Sequence, residues 1–345
     1  MEKIRLGRTN LMVSKLGFGG IPIQRISEDE AVAVIRKYLD HGVNFIDTAN
    51  AYTDSEEKIG KAIAGRREGL IIATKTHALT REGIENDLQL SLKRLRVESI
   101  DLYQFHGINT FEDYEQVLRL FNVFEEFKNA GKIKHIGITS HQPEVAKEGV
   151  KSGKFETVMF QFNFINREAA EQLLPLCREN DVGFIAMKPF AGGMLDKASL
   201  ALKYLLQFPD ILPIIGIQSL HEIDEIIEIL NGSWEVTDAE KNEMERMRIE
   251  LGNRFCRRCD YCQPCSQGVS ISMINIMPAI LKSNHPEKVF SGQFTETLET
   301  AALCIKCGEC EERCPYNLPI RDMIEEYYNL YQTEKKKYQA SLLGR

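Results

Sequence analysis

The chain has 345 residues, of which 43% are hydrophobic and 27% charged, and its formal net charge is −7. This composition indicates a globular protein with a core of its own, and it excludes a largely disordered chain. Acidic and basic residues are interleaved throughout, so nucleic-acid binding is not favoured, and no apolar run approaches the roughly 20 residues of a membrane span. Because Met1 is not followed by the apolar segment of a signal peptide, we expect a cytoplasmic protein.

Short apolar runs alternate with amphipathic helical segments in the first part of the chain. The runs are centred at Leu16, Phe45, Ile72, Tyr103, Ile136, Met159, Ile185 and Ile214. Helical patterns lie between them at 30–39, 83–95, 114–127, 168–178 and 223–230. Eight such units predict an α/β fold, a (β/α)8 TIM barrel over residues 1–231, in preference to a doubly wound sheet. The glycines at 17–20 also lack the third glycine of a G-x-G-x-x-G fingerprint.

The remaining third of the chain has a different pattern. A charged helical segment at 237–251 opens in the manner of a capping box, and we expect residues 232–252 to form a linker helix. Residues 253–345 show no convincing alternating strands, and a final helical pattern covers 321–331. The sequence therefore predicts a second domain, small and mainly α-helical.

Polar side chains follow several of the predicted barrel strands. Asp47 ends the second run, Lys75 the third and His106 the fourth. Active sites of TIM barrels lie at the carboxyl ends of the strands, so these side chains can meet at one mouth. Tyr52 follows shortly after Asp47, and a neighbouring ammonium group makes its phenol a better proton donor. With His106 to orient a carbonyl oxygen, the set suits hydride addition to a C=O group from a nicotinamide.

Three motifs that carry these residues occur in order: Asp47-Thr48-Ala49-Asn50-Ala51-Tyr52, Thr74-Lys75 and Ile100-Asp101-Leu102-Tyr103-Gln104-Phe105-His106. The series resembles the aldo-keto reductase family over roughly residues 3 to 231. The resemblance implies an NAD(P)H-dependent oxidoreductase that reduces an aldehyde or ketone. Tyr52 would be the general acid, Asp47 and Lys75 would tune it, and His106 would place the substrate carbonyl. It also implies dinucleotide binding by Gly19, Gly20, Asp47, Ser140, Gln161, Met187, Lys188, Pro189, Gly216, Gln218 and Glu222.

The identity of the dinucleotide is less strongly indicated. Met187 stands where members of the family stack an aromatic ring on the nicotinamide. The segment 215–222 contains neither Lys nor Arg, and Glu222 would repel the 2′-phosphate of NADPH while accepting from a ribose hydroxyl. Lys188 could compensate in part from another loop. The sequence therefore predicts no strong NADPH preference and leaves both NADP and NAD open.

Eight of the nine cysteines lie in two groups, and the ninth, Cys177, is on a helical pattern that places it in the core. The groups are Cys256, Cys259, Cys262, Cys265 and Cys304, Cys307, Cys310, Cys314. The second group, followed by Pro315, is the C-x2-C-x2-C-x3-C-P run of bacterial ferredoxins, whose fourth cysteine binds the other cluster when two are present. The first group has a shorter last interval and Ser266 in place of the proline.

This pattern predicts two 4Fe-4S clusters. We expect one to be held by Cys256, Cys259, Cys262 and Cys314, and the other by Cys304, Cys307, Cys310 and Cys265. Zinc or a single cluster is the alternative. The helical insert between the groups resembles the α-helical ferredoxin modules appended to oxidoreductases, and barrel plus tail is similar to the iron-sulfur-bearing branch of the aldo-keto reductases. The clusters would serve electron transfer, sensing or structure.

A second hypothesis of a different class is an electron-transfer or redox-sensing iron-sulfur protein that uses the barrel as a non-catalytic scaffold. The partners expected from the sequence are a small-molecule carbonyl substrate and a redox partner protein, with no nucleic acid and no membrane. Arg254, Arg257 and Arg258 beside the first cysteine group could receive an acidic partner, or they could form a solvated basic loop.

Overall fold

The computed structural model describes residues 1–252, 254–292 and 294–343, without the side chain of residue 343. These residues form two compact units. The first comprises Met1–Ala191 and Leu195–Thr237, and the second comprises Gly192–Met194 and Asp238–Arg345. None of the helices in the described ranges is both long and apolar enough to span a bilayer.

The first unit contains a closed barrel in which each strand pairs in parallel with the next along the chain, and the last pairs with the first. A hairpin of β1 and β2 precedes it. The strands are β1 (Lys3–Arg5), β2 (Met12–Ser14), β3 (Gly17–Gly19), β4 (Phe45–Asp47), β5 (Ile71–Thr76), β6 (Ile100–Phe105), β7 (Ile133–Thr139), β8 (Thr157–Gln161), β9 (Gly183–Met187) and β10 (Ile211–Gly216). The prediction of a (β/α)8 barrel is confirmed, since every predicted run overlaps or borders one of β3 to β10.

A helix follows each barrel strand from β3 to β10. These helices are α1 (Glu28–Asp40), α2 (Ser55–Ala62), α3 (Arg81–Leu95), α4 (Phe111–Asn129), α5 (Pro143–Lys151), α6 (Glu168–Glu179), α7 (Ala198–Leu206) and α8 (Leu220–Asn231). Helices α2, α5 and α7 were not predicted from the sequence. They have eight or nine residues each, so their periodicity covers little more than two turns.

The strands are apolar on both faces because side chains inside and outside the barrel are both covered. In β6, Leu102 packs in the inner cluster, whereas Tyr103 packs in the outer cluster beneath the helices. Ile4 and Val13 of the β1–β2 hairpin belong to the inner cluster as well. Alternate side chains along each strand thus point inward and fill the barrel interior. The hairpin covers the interior at the end where the strands begin.

The second unit is helical, as predicted. Its helices are α9 (Asp238–Gly252), α10 (Ile271–Asn275), α11 (Met277–Ser283), α12 (Pro286–Phe290), α13 (Thr295–Glu299), α14 (Glu309–Glu312) and α15 (Ile320–Leu343). Helix α9 was expected to be a linker, but it groups with this unit, and its Met244 and Met247 are buried. Helix α15 extends beyond the predicted 321–331, and Lys335 Nζ lies 2.7 Å from a carboxylate oxygen of Glu299.

Glu156, which directly precedes β8, joins this strand to α4 and β7 through its carboxylate. Its carboxylate accepts hydrogen bonds from Lys128 Nζ at 2.9 Å and from the backbone N–H of Ile136 at 2.9 Å. It also contacts His135 Nδ1 at 2.7 Å. Burial acts to raise the pKa of Glu156, but these hydrogen bonds from His135, Lys128 and Ile136 outweigh it and lower the pKa to about 2. The ionised carboxylate therefore stabilises the folded barrel.

Replacement of Glu156 tests this contribution. Because its pKa is depressed in the folded state, the stability it adds is present above the unfolded pKa of about 4.5 and is lost as the pH falls towards 2. We expect Glu156→Gln to lower the free energy of unfolding at neutral pH by about 2 kcal/mol. The difference from wild type should shrink below about pH 4. Chemical denaturation at several pH values measures this, with the exposed Glu115→Gln as control; an unchanged pH slope would refute it.

Candidate active site

A buried ion pair lies at the carboxyl ends of β4 and β5. Lys75 Nζ donates to Asp47 Oδ2 at 2.6 Å and to the carbonyl oxygen of Thr48 at 2.6 Å. Asp47 is 5% exposed and Lys75 is 1% exposed. In the sheet register, Lys75 lies opposite Gln104 on β6, and Gln104 Nε2 donates to Asp47 Oδ1 at 3.4 Å. Three neighbouring strands thus supply one connected polar cluster.

Burial and mutual attraction act in opposite directions on this pair. Burial lowers the pKa of Lys75, and the Asp47 carboxylate opposes that shift. Burial likewise raises the pKa of Asp47, and the Lys75 ammonium opposes it. Each group therefore depends on the other to remain charged away from water.

Tyr52 and His106 lie beside this pair. Lys75 Nζ is 5.4 Å from the centroid of the Tyr52 ring. The rings of Tyr52 and His106 make an edge-to-face contact, with centroids 5.7 Å apart and an interplanar angle of 79°. The backbone N–H of His106 donates to the carbonyl oxygen of Thr76 at 2.9 Å, which ties the end of β6 to the end of β5. The structure thus brings together Asp47, Tyr52, Lys75 and His106.

His77 is a member of this group that the sequence analysis did not select. Its ring stacks on that of His106, with centroids 3.9 Å apart and an interplanar angle of 15°. The sequence carries a signal for it, because His77 directly follows β5 just as His106 directly follows β6. The same holds for Gln104, which lies within a motif already quoted but was not assigned a contact with Asp47.

The residues proposed for dinucleotide binding are distributed around the same strand ends. Gly20 N donates to the carbonyl oxygen of Asp47 at 2.8 Å, just after Gly19 ends β3. Ser140, which follows β7, is fully buried, and its Oγ accepts from the backbone N–H of Gln142 at 3.0 Å. Gln161 ends β8, and it pairs in register with Met187, which ends β9.

The loops after β9 and β10 carry the rest of the set. Lys188 adopts a positive φ of 56°, and its carbonyl oxygen accepts from Asn163 Nδ2 at 2.9 Å. Pro189 is buried beside it, and Gly216 ends β10. Glu222 Oε2 accepts from the backbone N–H of Gln218 at 2.7 Å and of Ser219 at 3.1 Å. The Glu222 carboxylate therefore caps the N-terminus of α8.

Two cysteine-rich segments pack on one apolar core in the second unit. Cys262, Cys310 and Cys314 are buried in that core, whereas Cys307 is exposed. A pocket of about 380 Å³, including space open to solvent, is lined by cysteines of both segments. Those cysteines are Cys265, Cys304, Cys307 and Cys310. Throughout 1–252, 254–292 and 294–343, no three His, Cys, Asp or Glu side chains converge closely enough for a single metal ion.

The other cysteines are also linked across the two segments. Burial raises the pKa of the Cys259 thiol, and the charge of Cys314 adds to that effect. Burial and the charges of Cys256, Asp260 and Cys259 raise the pKa of Cys262 to about 12. Cys314 is thus electrostatically coupled to the first segment, as Cys265 shares a pocket with the second. Cys177 is buried in the barrel unit, as predicted, and is 2% exposed.

The arginines beside the first cysteine segment are engaged within the second unit. The Arg257 guanidinium lies 3.8 Å from the centroid of the Tyr316 ring and is 9% exposed. Arg254 forms an ion pair with Glu326, and Arg258 contacts Met273 Sδ at 3.5 Å. The alternative of a solvated basic loop is therefore wrong for Arg257, which is buried against an aromatic ring.

Comparison with known proteins gives a consistent result. A model of the aldo/keto reductase family matches residues 15–199. The uncharacterized oxidoreductase YqkF of Bacillus subtilis (strain 168) is 34% identical over 222 residues, which cover 59% of this chain and 71% of that protein. The NADH-specific methylglyoxal reductase of Escherichia coli (strain K12) is 27% identical over 56% of this chain and 69% of its own length. The holo form of aldo-keto reductase AKR11C1 from Bacillus halodurans has a TM-score of 0.65 at 27% identity, covering 72% of this chain and 96% of that one.

The interdependence of Asp47 and Lys75 is testable by stability alone. Asp47→Asn leaves a buried ammonium without its carboxylate, so we expect the barrel to lose about 3 kcal/mol of unfolding free energy. Because burial lowers the pKa of Lys75 below its ordinary value of 10.5, the deficit should shrink as the pH rises through this lowered pKa towards 10.5 and the amine loses its proton. The double variant Asp47→Asn/Lys75→Met removes both charges and should regain most of the loss. Denaturation curves measure this; equal loss in both variants would contradict it.

Proposed function

Because this chain belongs to the aldo/keto reductase family, we propose that it reduces the carbonyl group of an aldehyde or ketone with NAD(P)H. The observation that carries the proposal is the position of Tyr52, whose ring lies 5.4 Å from Lys75 Nζ and edge-on to His106. The name of the Escherichia coli relative, an NADH-specific methylglyoxal reductase, supports a reduction of this class.

Tyr52 is the proton donor in this proposal. When bound, the dinucleotide supplies a hydride to the carbonyl carbon, and the carbonyl oxygen then needs a proton. The Lys75 ammonium favours the phenolate that Tyr52 becomes when it gives up that proton. Asp47 keeps Lys75 charged and in place through the 2.6 Å contact. Since Lys75 also donates to the carbonyl oxygen of Thr48, its ammonium is held from two sides.

In this proposal the dinucleotide would lie along the ends of β7 to β10. Ser140, Gln161 and Met187 stand at the ends of successive strands, where polar and apolar side chains can hold a nicotinamide ring. Gly216 and Gln218 follow on the next strand and loop, where the rest of the dinucleotide would lie. Lys188 and Pro189 border the same region from the loop after β9.

Glu222 bears on the choice between NADH and NADPH. Its carboxylate already accepts the backbone N–H groups of Gln218 and Ser219, which are the donors that a phosphate would use at this helix end. A 2′-phosphate placed there would meet a fixed negative charge. The proposal is therefore that NADH serves at least as well as NADPH.

For the second unit we propose two 4Fe-4S clusters with exchanged fourth ligands. One set would be Cys256, Cys259, Cys262 and Cys314, and the other Cys304, Cys307, Cys310 and Cys265. The pocket shared by Cys265 with the second segment supports the second set. The burial of Cys262 and Cys314 in one core, with Cys256 packed against it, supports the first set.

Zinc is less well supported. A structural zinc ion needs four ligands about 2.3 Å from one point, which brings the sulfur atoms close together. No such convergence of three side chains occurs in the described part of the chain. A cluster of four irons is larger than a single ion, and it spaces its thiolates further apart. Cysteines of both segments line one pocket, and the second segment has the cysteine spacing of a cluster-binding run, so we favour clusters.

The proposed clusters also have a structural role. Six of the eight cysteines lie in or against the one apolar core that the described residues of this unit form, so ligation would join the two cysteine segments within it. Metal binding of this kind contributes directly to folding. The alternative, in which the clusters carry the function and the barrel is a scaffold, predicts that loss of Tyr52 changes nothing.

The role of Tyr52 is tested by Tyr52→Phe, which removes only the phenolic oxygen. We expect kcat for carbonyl reduction to fall by roughly 10²- to 10⁴-fold, since general acid catalysis has that size. Dinucleotide affinity, followed by fluorescence titration with NADH and NADPH, should stay within about twofold because the phenyl ring is retained. Tyr114→Phe is the matched control, since the Tyr114 hydroxyl donates to the carbonyl oxygen of Glu148 on the outer helices. Unchanged kcat in Tyr52→Phe would support the scaffold alternative.

The ligand sets are tested by anaerobic purification and analysis of iron and sulfide. Cys314→Ser and Cys265→Ser are each expected to weaken one cluster, so that iron content falls by about half and the EPR spectrum of the reduced protein loses one component. Cys177→Ser is the control, because burial raises the pKa of this thiol to about 12 and it lies in the barrel unit. Zinc in place of iron in the wild-type protein, or full iron content in both variants, would refute the proposal.

A further inference from the structure

The His106 ring has an aromatic neighbour on each of two sides. The edge-to-face contact with Tyr52 has a centroid distance of 5.7 Å. The second neighbour is His77, whose ring lies nearly parallel to that of His106, with a centroid distance of 3.9 Å and an interplanar angle of 15°. The two histidines are brought side by side because each directly follows a strand, and β5 and β6 are neighbours in the barrel.

The backbone that follows His106 runs close to the His77 ring. Gly107 adopts a φ of +69°, and a Cβ added there would lie 3.5 Å from His77 Cε1. The Gly107 N–H donates to Thr139 Oγ1 at 2.7 Å, which fixes this part of the loop against the end of β7. The loop after His106 is therefore tied to β7 next to the His77 ring.

We propose that His77 is a positioning residue that holds the His106 imidazole in the plane required to orient the substrate carbonyl. The inference rests on the proposed reductase function and assigns a residue that acts on His106 alone. A stacking contact uses the face of an aromatic ring, whereas hydrogen bonds leave from its edge. The stack thus restricts the two side-chain torsions of His106 without occupying its nitrogens.

This restriction matters because carbonyl orientation depends on small displacements. A misplacement of about 1 Å at a reacting centre can cost about a hundredfold in rate. Without the His77 ring, one face of His106 has no aromatic partner and the imidazole can rotate away from the position defined by Tyr52. The loss should appear in kcat, since dinucleotide binding by the strands from β7 to β10 does not involve His77.

The experiment compares His77→Ala, His77→Leu and His77→Phe in the full-length protein. Alanine removes the ring, leucine restores volume without a planar face, and phenylalanine restores the planar face without ring nitrogens. We expect kcat to fall about tenfold to a hundredfold in the alanine and leucine variants and to recover to within about threefold of wild type in His77→Phe. The dinucleotide dissociation constant should remain within about twofold in all three. His41→Ala, at the exposed end of α1, is the control for loss of a histidine.

A second readout does not depend on activity. In NMR spectra of histidine-labelled protein, assigned with His106→Gln, the His106 ring protons should be shifted upfield by the stacked ring in wild type and in His77→Phe. The alanine and leucine variants should lose that shift. Wild-type kcat in His77→Ala, or an equal loss of kcat in His77→Phe and His77→Ala, would overturn the proposal. Absence of carbonyl reduction in wild type would instead count against the proposed function, while the ring-current shift would still report the stack.

Discussion

The contact between Lys75 and Asp47 is the constraint on which the site depends. Two charged groups removed from water stay charged only while they face each other, so β4 and β5 must hold the register that brings Nζ within 2.6 Å of the carboxylate. That register is imposed by a closed barrel, whose strands cannot slide independently. The same ammonium then lies beside the Tyr52 ring. The proposed chemistry at Tyr52 therefore depends on the same contact, Lys75 Nζ to Asp47 Oδ2, that the barrel register holds in place.

Most of the barrel could be predicted from the sequence, because eight short runs that are apolar on both faces are rare outside a parallel sheet covered by helices. Short helices such as α2 escaped detection, since eight residues carry too little periodicity. The convergence of Asp47, Tyr52, Lys75 and His106 could also be anticipated, because each lies at or shortly after the carboxyl end of a recognisable strand. The contacts of Gln104 and His77 could not, since they depend on sheet register and ring orientation, which residue spacing does not encode. The boundary at Thr237 was missed because α9 is highly charged, although two methionines on it are buried.

The second unit illustrates a different limit. Cysteine spacing predicts which thiols share a segment and which would be exchanged between the two segments, but it does not predict the contacts that join the segments. Those contacts depend on the packing: Arg313 donates to the carbonyl oxygen of Pro264 at 3.0 Å, and Arg257 lies over Tyr316. Both contacts join the first segment to the second, and one of them uses Arg257, for which the sequence suggested a surface role. A cation beside cysteines can therefore serve assembly of the unit instead of partner binding.

The buried Tyr331 has a consequence for the order in which the molecule is built. This ring is fully enclosed in the core that also contains Cys262, so that core cannot close until nearly 70 residues after the first cysteine segment have been synthesised. All residues of the barrel unit, which ends at Thr237, have been synthesised before the first cysteine segment. During that interval the thiols of the first segment belong to an unpacked nascent chain. The core around Cys262 can therefore close only after Tyr331 has been synthesised, whereas the barrel residues need no such delay.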